Sequence, residues 1–411
     1  MKEKKCRFCS HDLKHSFANL GMSPPSNAFL TQEQLGEAET FFPLHALVCD
    51  NCFLVQLEEF ESPENIFNNY AYFSSYSEVW LEHCKKYSEQ MIERFGFDQT
   101  HQVIEIASND GYLLQFFQEK GIPILGIEPA ANVAKVAEQK GIPTLVFFLG
   151  VETAKQLVNQ GKQADLLIGN NVLAHVPNLN DFVAAMKILL KPEGIITMEF
   201  PHLLQLMRYN QFDTIYHEHF SYYSVSTVTR VFEEHGLELF DVEEIPTHGG
   251  SLRIYAKHTE MNSIGVESRL KELKEKEHEA GLDRIDTYIG FREKVEETKR
   301  QLLTFLIDAK EKGKSIVGYG APAKGNTLLN YCGIREDFLD YTVDKNPHKQ
   351  GLFLPGTHIP IETPEKIKET KPDYVLILPW NLKEEIMKQM AVIRSWGGKF
   401  VVPIPRVEVI P

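Results

Sequence analysis

Short apolar segments alternate with segments of helical periodicity in two separate parts of this 411-residue chain. In the first part, the segments lie at residues 103–117, 123–141, 164–176 and 194–201. In the second part, they lie at residues 315–329, 341–347, 373–380 and 399–405. Successive parallel strands need a crossover connection, which is usually a helix. The pattern therefore predicts two α/β units, each with a parallel sheet that helices cover on both faces.

A charged segment separates the two α/β units and is rich in Glu, Lys, Arg and Leu. Its apolar positions recur every three or four residues, which predicts a helical connector with one docked face and one solvated face. A chain of this length exceeds one ordinary core. We predict an N-terminal module, a middle domain, a connector and a C-terminal domain, at residues 1–72, 73–260, 261–312 and 313–411.

Four of the six cysteines form two Cys-x-x-Cys pairs, Cys6 with Cys9 and Cys49 with Cys52. Each pair can place two thiolates on one ion, and two pairs complete the tetrahedron that structural zinc prefers. A redox pair is the alternative, but such a motif typically occurs once, at the start of a helix. We therefore predict a closed, structural Zn²⁺ site, with a small β-rich insert between the two pairs.

The charge and hydropathy of the chain restrict its partners. A formal net charge of −14 argues against nucleic acid, because duplex binding needs a basic surface. No apolar run is long enough for a membrane span, and no apolar segment follows the N-terminal lysines as in a secretion signal. We expect a cytoplasmic protein that binds neither nucleic acid nor membrane, and a monomer is plausible.

The first strand–helix turn, EIASNDG at residues 105–111, lies where doubly wound sheets bind their ligands. It has one glycine, Gly111, whereas a dinucleotide site normally has three. Its acids, Glu105 and Asp110, disfavour a pyrophosphate and suit a cationic ligand such as the sulfonium of S-adenosylmethionine. Glu128 ends the second strand, where it could accept both ribose hydroxyls, and Asn170 ends the third. An NAD site and a loop without a cofactor are the alternatives.

Residues 214–224, TIYHEHFSYYS, concentrate side chains that handle protons. Tyr and His suit strands, so an edge strand or a polar loop is the plain interpretation. In a strand, Tyr216 and Glu218 would share one face and His217 and His219 the other. A functional interpretation requires a cofactor and a substrate pocket nearby.

Several ordered motifs resemble those of the three-domain sugar C-methyltransferases of deoxysugar biosynthesis. They include both cysteine pairs, SPPSNAFL, NNYAYFSSYS, VIEIASNDGYLL, NNVLAHVP, YHEHFSYYS, HGGSLR and GYGAPAKGNTLL. The resemblance covers nearly the whole chain. It implies an N-terminal zinc-binding module, a Rossmann-like domain that binds S-adenosylmethionine, and a second Rossmann-like domain. It also implies methylation at C3 of a nucleotide-diphospho-4-keto-6-deoxysugar, with dTDP as the favoured nucleotide.

The resemblance also suggests which residues contact the cofactor. These are Glu105, Ala107, Asn109, Gly111, Glu128 and Asn170. The family usually has glycine where this chain has Ala107, so the added methyl could crowd the cofactor if the backbone there needs a positive φ. The glycine-rich loop with Lys324 either contacts the diphosphate of the substrate or simply packs.

C-methylation of a sugar requires a base for the C3 proton and stabilisation of the developing enolate oxygen. By the resemblance, His219 is that base, and Glu218 binds a hydroxyl or amino group of the sugar. Tyr216, Tyr70 and His175 match family active-site positions that donate to the enolate or wall the sugar. An O- or N-methyltransferase of a related nucleotide sugar and a non-catalytic regulatory protein remain the alternatives.

Overall fold

The computed structural model describes residues 4–62, 74–76 and 78–411. Its strands are β1 (His15–Ser23), β2 (Phe42–Val48), β3 (Val55–Gln56), β4 (Val103–Ile106), β5 (Ile124–Ile127), β6 (Thr144–Leu145), β7 (Ala164–Asn170), β8 (Leu190–Pro201), β9 (Ser221–Tyr222), β10 (Leu237–Ile245), β11 (Ser251–His258), β12 (Ile316–Tyr319), β13 (Thr342–Val343), β14 (Ile361–Glu362), β15 (Tyr374–Ile377), β16 (Lys399–Val402) and β17 (Glu408–Ile410). Its helices are α1 (Glu78–Phe95), α2 (Leu114–Gln118), α3 (Ala131–Gln139), α4 (Val151–Asn159), α5 (Leu179–Leu189), α6 (Leu203–Arg208), α7 (Val225–Glu234), α8 (Ser268–Glu279), α9 (Ile285–Ile289), α10 (Phe291–Glu311), α11 (Ala323–Cys332), α12 (Lys366–Thr370) and α13 (Lys383–Gln389).

The first sheet is antiparallel and has the order β1-β2-β3-β9. Three of its strands come from the N-terminal module, and β9 comes from the segment TIYHEHFSYYS of the middle domain. The predicted β-rich insert between the cysteine pairs is confirmed, because β1 and β2 lie between them. Pairing of β3 with β9 places the N-terminal module directly beside the candidate catalytic segment.

The second sheet has the order β10-β11-β8-β7-β4-β5-β6. The predicted parallel arrangement is confirmed for its five strands from β8 to β6. The sequence analysis did not include the other two strands, and β11 pairs antiparallel with β8 and with β10. A short turn rather than a crossover helix joins β10 to β11, which forces the antiparallel pairing. The strand predicted within residues 164–176 ends at Asn170, and a 3₁₀ turn (Leu173–His175) follows it.

The third sheet has the order β14-β13-β12-β15-β16-β17 and is parallel except for β17. The predicted connector helix is α10, and its apolar stripe is fully buried from Phe291 to Leu306. The ring of Phe291 stacks on Phe17 of β1, with centroids 4.7 Å apart. One hydrophobic cluster therefore joins the first sheet, the connector and the third sheet. Among the described residues, no helix is both long and apolar enough to cross a bilayer.

Candidate active site and metal centre

The four predicted metal ligands converge on one point. The sulfur atoms of Cys6, Cys9, Cys49 and Cys52 all lie within 4.8 Å of one another. The Sγ–Sγ distances are 3.6 Å for Cys6–Cys52 and 3.6 Å for Cys9–Cys49. A regular tetrahedron with Zn–S bonds of about 2.3 Å has S–S edges of about 3.8 Å. The donor set therefore fits zinc in a closed, structural site.

The same backbone turn forms both halves of the metal centre. Ser10 and Phe53 each follow a Cys-x-x-Cys pair, and both adopt a positive φ, of 59° and 60°. In each turn, that residue's N–H donates to the carbonyl of the first cysteine, at 2.9 Å. The hydroxyl of Thr227 on α7 donates to the carbonyl of Cys52 at 3.1 Å. Zinc would thus secure two turns, both of which are hydrogen-bonded directly to the middle domain, the first through Phe8 and Asn180.

The predicted cofactor loop follows β4 in an uncommon backbone conformation. Ala107, Asn109 and Gly111 all have positive φ, of 56°, 49° and 77°. The family's glycine at the position of Ala107 has a physical reason, because a residue with a Cβ costs about 1–2 kcal/mol in this conformation. At Gly111, a Cβ would lie 2.2 Å from Cδ1 of Ile142, so any larger residue there would require the Ile142 side chain to move.

Glu128 ties this loop to the end of β5. Its Oε2 accepts the backbone N–H of Asn109 at 2.8 Å, and its Oε1 accepts that of Ala130 at 2.9 Å. Burial raises the pKa of Glu128, and the same two N–H groups oppose the rise. Each carboxylate oxygen keeps a second lone pair, so the group can still accept hydrogen bonds from two neighbouring hydroxyls. This geometry suits the ribose role predicted for Glu128.

Glu105 and Asn170 lie at the carboxyl-terminal ends of the neighbouring strands β4 and β7. Both side chains are buried, and their polar atoms make no hydrogen bond of normal geometry with any residue that the structure describes. Burial raises the pKa of Glu105 well above its usual value; the Tyr112 hydroxyl opposes this rise and the Glu128 carboxylate adds to it. Because buried polar atoms are normally paired, these orphaned atoms fit a cationic, hydrogen-bonding ligand such as S-adenosylmethionine.

The segment TIYHEHFSYYS forms a tight turn where a strand was the plain interpretation. The N–H of His219 donates to the carbonyl of Tyr216 at 2.9 Å, and β9 begins only at Ser221. The predicted alternation of faces is therefore wrong. Tyr216 and His219 lie on the same side, with ring centroids 4.0 Å apart and a hydrogen bond of 2.8 Å between the phenol oxygen and Nε2.

The partners of His219 define its tautomer. The Nδ1–H donates to the carbonyl of Thr214 at 3.0 Å, so Nε2 carries the lone pair and accepts from the hydroxyl of Tyr216. Burial lowers the pKa of His219 well below its usual value, although the hydrogen bond to the Thr214 carbonyl opposes this. At neutral pH this imidazole is therefore neutral and can accept a proton at Nε2.

The other predicted catalytic residues have different surroundings. The ring of His175 packs edge-on against His219, with centroids 4.7 Å apart, and burial lowers the pKa of His175 to about 4. Glu218 is buried and accepts a hydrogen bond of 2.6 Å from Nδ2 of Asn27. His217 is also buried, beside Phe42. Tyr70 lies outside the described residues.

A buried charge cluster at the end of β8 escaped the sequence analysis. Glu199 is opposite Asn170 in the sheet register and is 1% exposed. It accepts from Nε2 of His83 at 2.9 Å and pairs with Arg253 at 2.6 Å. The ring of His83 stacks on Trp80, with centroids 4.9 Å apart. The signal was present, because Glu199 ends the fourth predicted strand just as Glu128 ends the second.

The C-terminal domain also reaches the candidate site. Lys324 lies in the first turn of α11; its Nζ donates to Oδ1 of Asn381 at 2.8 Å and lies 4.5 Å from the ring centre of Trp380. One turn further along α11, the hydroxyl of Thr327 donates to the carbonyl of Ile215 at 3.1 Å. Helix α11 thus lies against the segment that holds His219.

Asp344 lies where an acid would bind ribose in a dinucleotide site, but its carboxylate accepts hydrogen bonds from two backbone N–H groups of this chain. Its Oδ2 accepts the N–H of Ala321 in the glycine-rich loop at 2.7 Å, and its Oδ1 accepts the N–H of Asn346 at 2.8 Å. The carboxylate therefore links the glycine-rich loop to the segment that follows β13. The third sheet has the strand order of a Rossmann-like domain. Its glycine-rich loop, however, is hydrogen-bonded to Asp344 of the same domain.

Comparisons with known proteins agree with this architecture. Sequence models match a zinc binding domain at residues 6–67, a methyltransferase domain at residues 75–242 and a C-methyltransferase C-terminal domain at residues 246–405. The C-methyltransferase NovU of Streptomyces niveus is 34% identical over 406 residues, which are 99% of this chain and 96% of that protein.

Two further relatives match the middle part of the chain alone. A ubiquinone biosynthesis O-methyltransferase of Bartonella tribocorum is 25% identical over 116 residues, which are 28% of this chain and 46% of that enzyme. The crystal structure of magnesium protoporphyrin IX methyltransferase from Synechocystis, with bound SAH, covers 44% of this chain and 87% of its own. Its identity is 13% and its TM-score is 0.35, so the full-length relative carries the family assignment.

Proposed function

The chain belongs to the family of C-methyltransferases that combine zinc-binding, methyltransferase and C-terminal domains, and we propose that it methylates C3 of a nucleotide-diphospho-4-keto-6-deoxysugar. The enzyme depends on S-adenosylmethionine and has a structural zinc site. Membership in this family removes the O- or N-methyltransferase and the regulatory protein as alternatives. The sugar, the position C3 and the dTDP nucleotide form the proposal.

The state of His219 is the observation that carries the proposal. A carbon becomes a nucleophile only after a base removes its proton, and a carbonyl beside that carbon makes this removal feasible. His219 is neutral, its tautomer is held by the Thr214 carbonyl, and its basic Nε2 faces a phenol hydroxyl at 2.8 Å. A base beside a hydrogen-bond donor is what the formation of an enolate from a keto sugar requires.

In the proposed reaction, the sugar binds with its C3–H against Nε2 of His219 and its C4 carbonyl against the hydroxyl of Tyr216. His219 takes the proton while the Tyr216 hydroxyl, released from Nε2, donates to the developing enolate oxygen. Low pKa values keep His175 and His219 neutral, so neither attracts the diphosphate away from its own site. His175 packs against the base and limits its rotation.

Residues of the middle domain hold the methyl donor. S-adenosylmethionine supplies an electrophilic methyl group on a sulfonium. Glu128 accepts hydrogen bonds from the ribose, and Asn170 pairs with the adenine or the amino-acid tail. Burial favours the neutral form of Glu105, and the positive charge of the bound donor would favour its carboxylate, which would then offset that charge. The loop of Ala107 and Asn109 brings backbone close to the donor.

The C-terminal domain contributes a cation for the diphosphate. Lys324 lies in the first turn of α11, the helix that contacts the His219 segment through Thr327, and burial lowers the pKa of Lys324 while the Asp213 carboxylate opposes this. Asp213 itself accepts from the indole N–H of Trp380 at 2.7 Å. An incoming diphosphate would favour the charged form of Lys324, so binding of the substrate would strengthen the electrostatic field beside the enolate.

A labelled transfer assay tests this proposal. The enzyme is incubated with ¹³C-methyl S-adenosylmethionine and a panel of dTDP-, GDP- and UDP-linked 4-keto-6-deoxysugars, and the product is examined by carbon NMR. We expect the label on C3 of the sugar ring, with the dTDP sugar as the best substrate. Label on an oxygen or nitrogen, or on another ring carbon, would contradict the proposal.

A further inference from the structure

We propose that Asn27, in the N-terminal module, is a positioning residue for Glu218 and makes that module a part of the active site. This inference depends on the proposed function, in which Glu218 binds the sugar. The side chains meet although the two residues are 191 positions apart. The module would then do more than fold around zinc, because it would set the orientation of a group that contacts the substrate.

The contact itself is short and lies at the edge of the site. Nδ2 of Asn27 donates to Oε1 of Glu218 at 2.6 Å. Glu218 is 8% exposed, whereas the side chain of Asn27 is exposed. The pair thus bridges the buried catalytic segment and solvent.

The loop that carries Asn27 is fixed from the C-terminal domain. The carbonyl of Ser26 accepts from Nδ2 of Asn326 on α11 at 2.6 Å. Leu30 pairs with Phe353 through two backbone hydrogen bonds, of 3.0 and 2.9 Å. These contacts lie on both sides of Asn27 in the sequence. The amide is therefore held in place before it meets Glu218, as preorganisation of a site requires.

Electrostatics explain why Glu218 needs this partner. Burial raises the pKa of Glu218, while the Asn27 amide and the Lys349 ammonium oppose the rise. Lys349 comes from the C-terminal domain and also donates to the carbonyl of Ala321 at 2.8 Å. His175, packed beside this segment, shares a hydrogen bond with the backbone of Glu218. Without Asn27, the charged form of Glu218 would lose its direct donor and its fixed orientation.

Three variants and a double mutant test the inference. Asn27→Ala removes the donor, and Asn27→Asp keeps the shape but places a second carboxylate against Glu218. Asn19→Ala is the matched control, because Asn19 is exposed on β1 of the same module and bonds only locally, to the N–H of Gly21. Zinc content, thermal melting, donor affinity and the pH dependence of methyl transfer are measured for each variant.

Asn27→Ala should retain zinc, melting temperature and affinity for S-adenosylmethionine, as should the control. Its kcat/KM for the keto sugar should fall about ten- to hundredfold. The acidic limb of its pH–rate profile should move to higher pH, because the pKa of Glu218 rises without the Asn27 donor. Asn27→Asp should also be impaired at neutral pH and recover partly at lower pH, where the two carboxyls share a proton. In a Glu218→Gln background, Asn27→Ala should have little further effect.

Two outcomes would overturn the inference. Asn27→Ala could match the wild type in rate and pH profile, or its loss of activity could accompany loss of zinc or a lower melting temperature. A different result would contradict the proposed function: the wild type would methylate no keto sugar. The pKa of Glu218 can then still be compared between wild type and Asn27→Ala by NMR of ¹³C-labelled glutamate, and an unchanged value would refute the inference without any turnover.

Discussion

Replacement of Glu128 by alanine offers a sharp test of the cofactor site. The carboxylate accepts two backbone hydrogen bonds, of 2.8 and 2.9 Å, and one of them comes from Asn109 in the loop that we propose contacts the donor. Alanine would remove both of these bonds together with the acceptor for the ribose hydroxyls. The variant therefore affects the donor directly, through the ribose, and indirectly, through the shape of the loop.

The magnitude follows from these contacts. A hydrogen bond to a charged acceptor is worth about 1.5–3 kcal/mol, and a tenfold change in affinity corresponds to about 1.4 kcal/mol. Loss of one ribose bond alone should therefore weaken the binding of S-adenosylmethionine about ten- to hundredfold. Glu128→Gln should lie between wild type and Glu128→Ala, because its amide oxygen can still accept one N–H while its NH₂ group faces the other.

Isothermal titration calorimetry with S-adenosylmethionine and, separately, with the nucleotide sugar measures both affinities. Glu138→Ala is the matched control, since Glu138 is exposed on α3, the helix that follows Glu128. Affinity for the nucleotide sugar should remain unchanged in all three variants. An unchanged dissociation constant for S-adenosylmethionine in Glu128→Ala would refute the assignment of the ribose contact.

Three further predictions concern stability. Cys49→Ser should release zinc and lower the melting temperature, because a structural zinc site contributes folding free energy directly, and a folded, active, zinc-free variant would contradict this. Ala107→Gly should raise the free energy of unfolding, measured in urea, by about 0.5–1 kcal/mol, because the relief of the positive φ of Ala107 exceeds the entropic cost of glycine. A lower free energy of unfolding would show that the positive φ does not strain the backbone of Ala107. Burial lowers the pKa of His175 from 6.5 to about 4, so the folded state binds fewer protons than the unfolded state below pH 6.5. Stability should fall by up to about 3 kcal/mol as the pH falls from 6.5 to 4, and a flat urea profile over this range would exclude it.

Features with a local sequence signal were predictable. The spacing of Cys6, Cys9, Cys49 and Cys52 is set by the turn that each pair must form around an ion, so it indicates zinc without any tertiary information. Strands β4, β5 and β7 were recognisable because apolar runs followed by helical periodicity reflect burial on both faces. Glu128 was found through its position at the end of such a strand.

Features that depend on tertiary contacts escaped the sequence. The turn between Tyr216 and His219 depends on the Thr214 carbonyl as a partner for the imidazole, and strand propensity alone suggested alternating faces. The contact of Asn27 with Glu218 joins residues far apart in the chain. Strands β10 and β11 were missed because their antiparallel pairing breaks the alternation of strand and helix.

Exchange of the C3 hydrogen of the substrate with deuterated solvent tests the central claim most directly. A dTDP-4-keto-6-deoxysugar is incubated in D₂O with wild-type enzyme and S-adenosylhomocysteine, and deuterium at C3 is followed by proton NMR. The wild type should exchange this hydrogen, and His219→Ala should exchange it about a hundred- to ten-thousandfold more slowly with both ligands still bound. Equal exchange by the two proteins would show that His219 is not the base and would contradict the account.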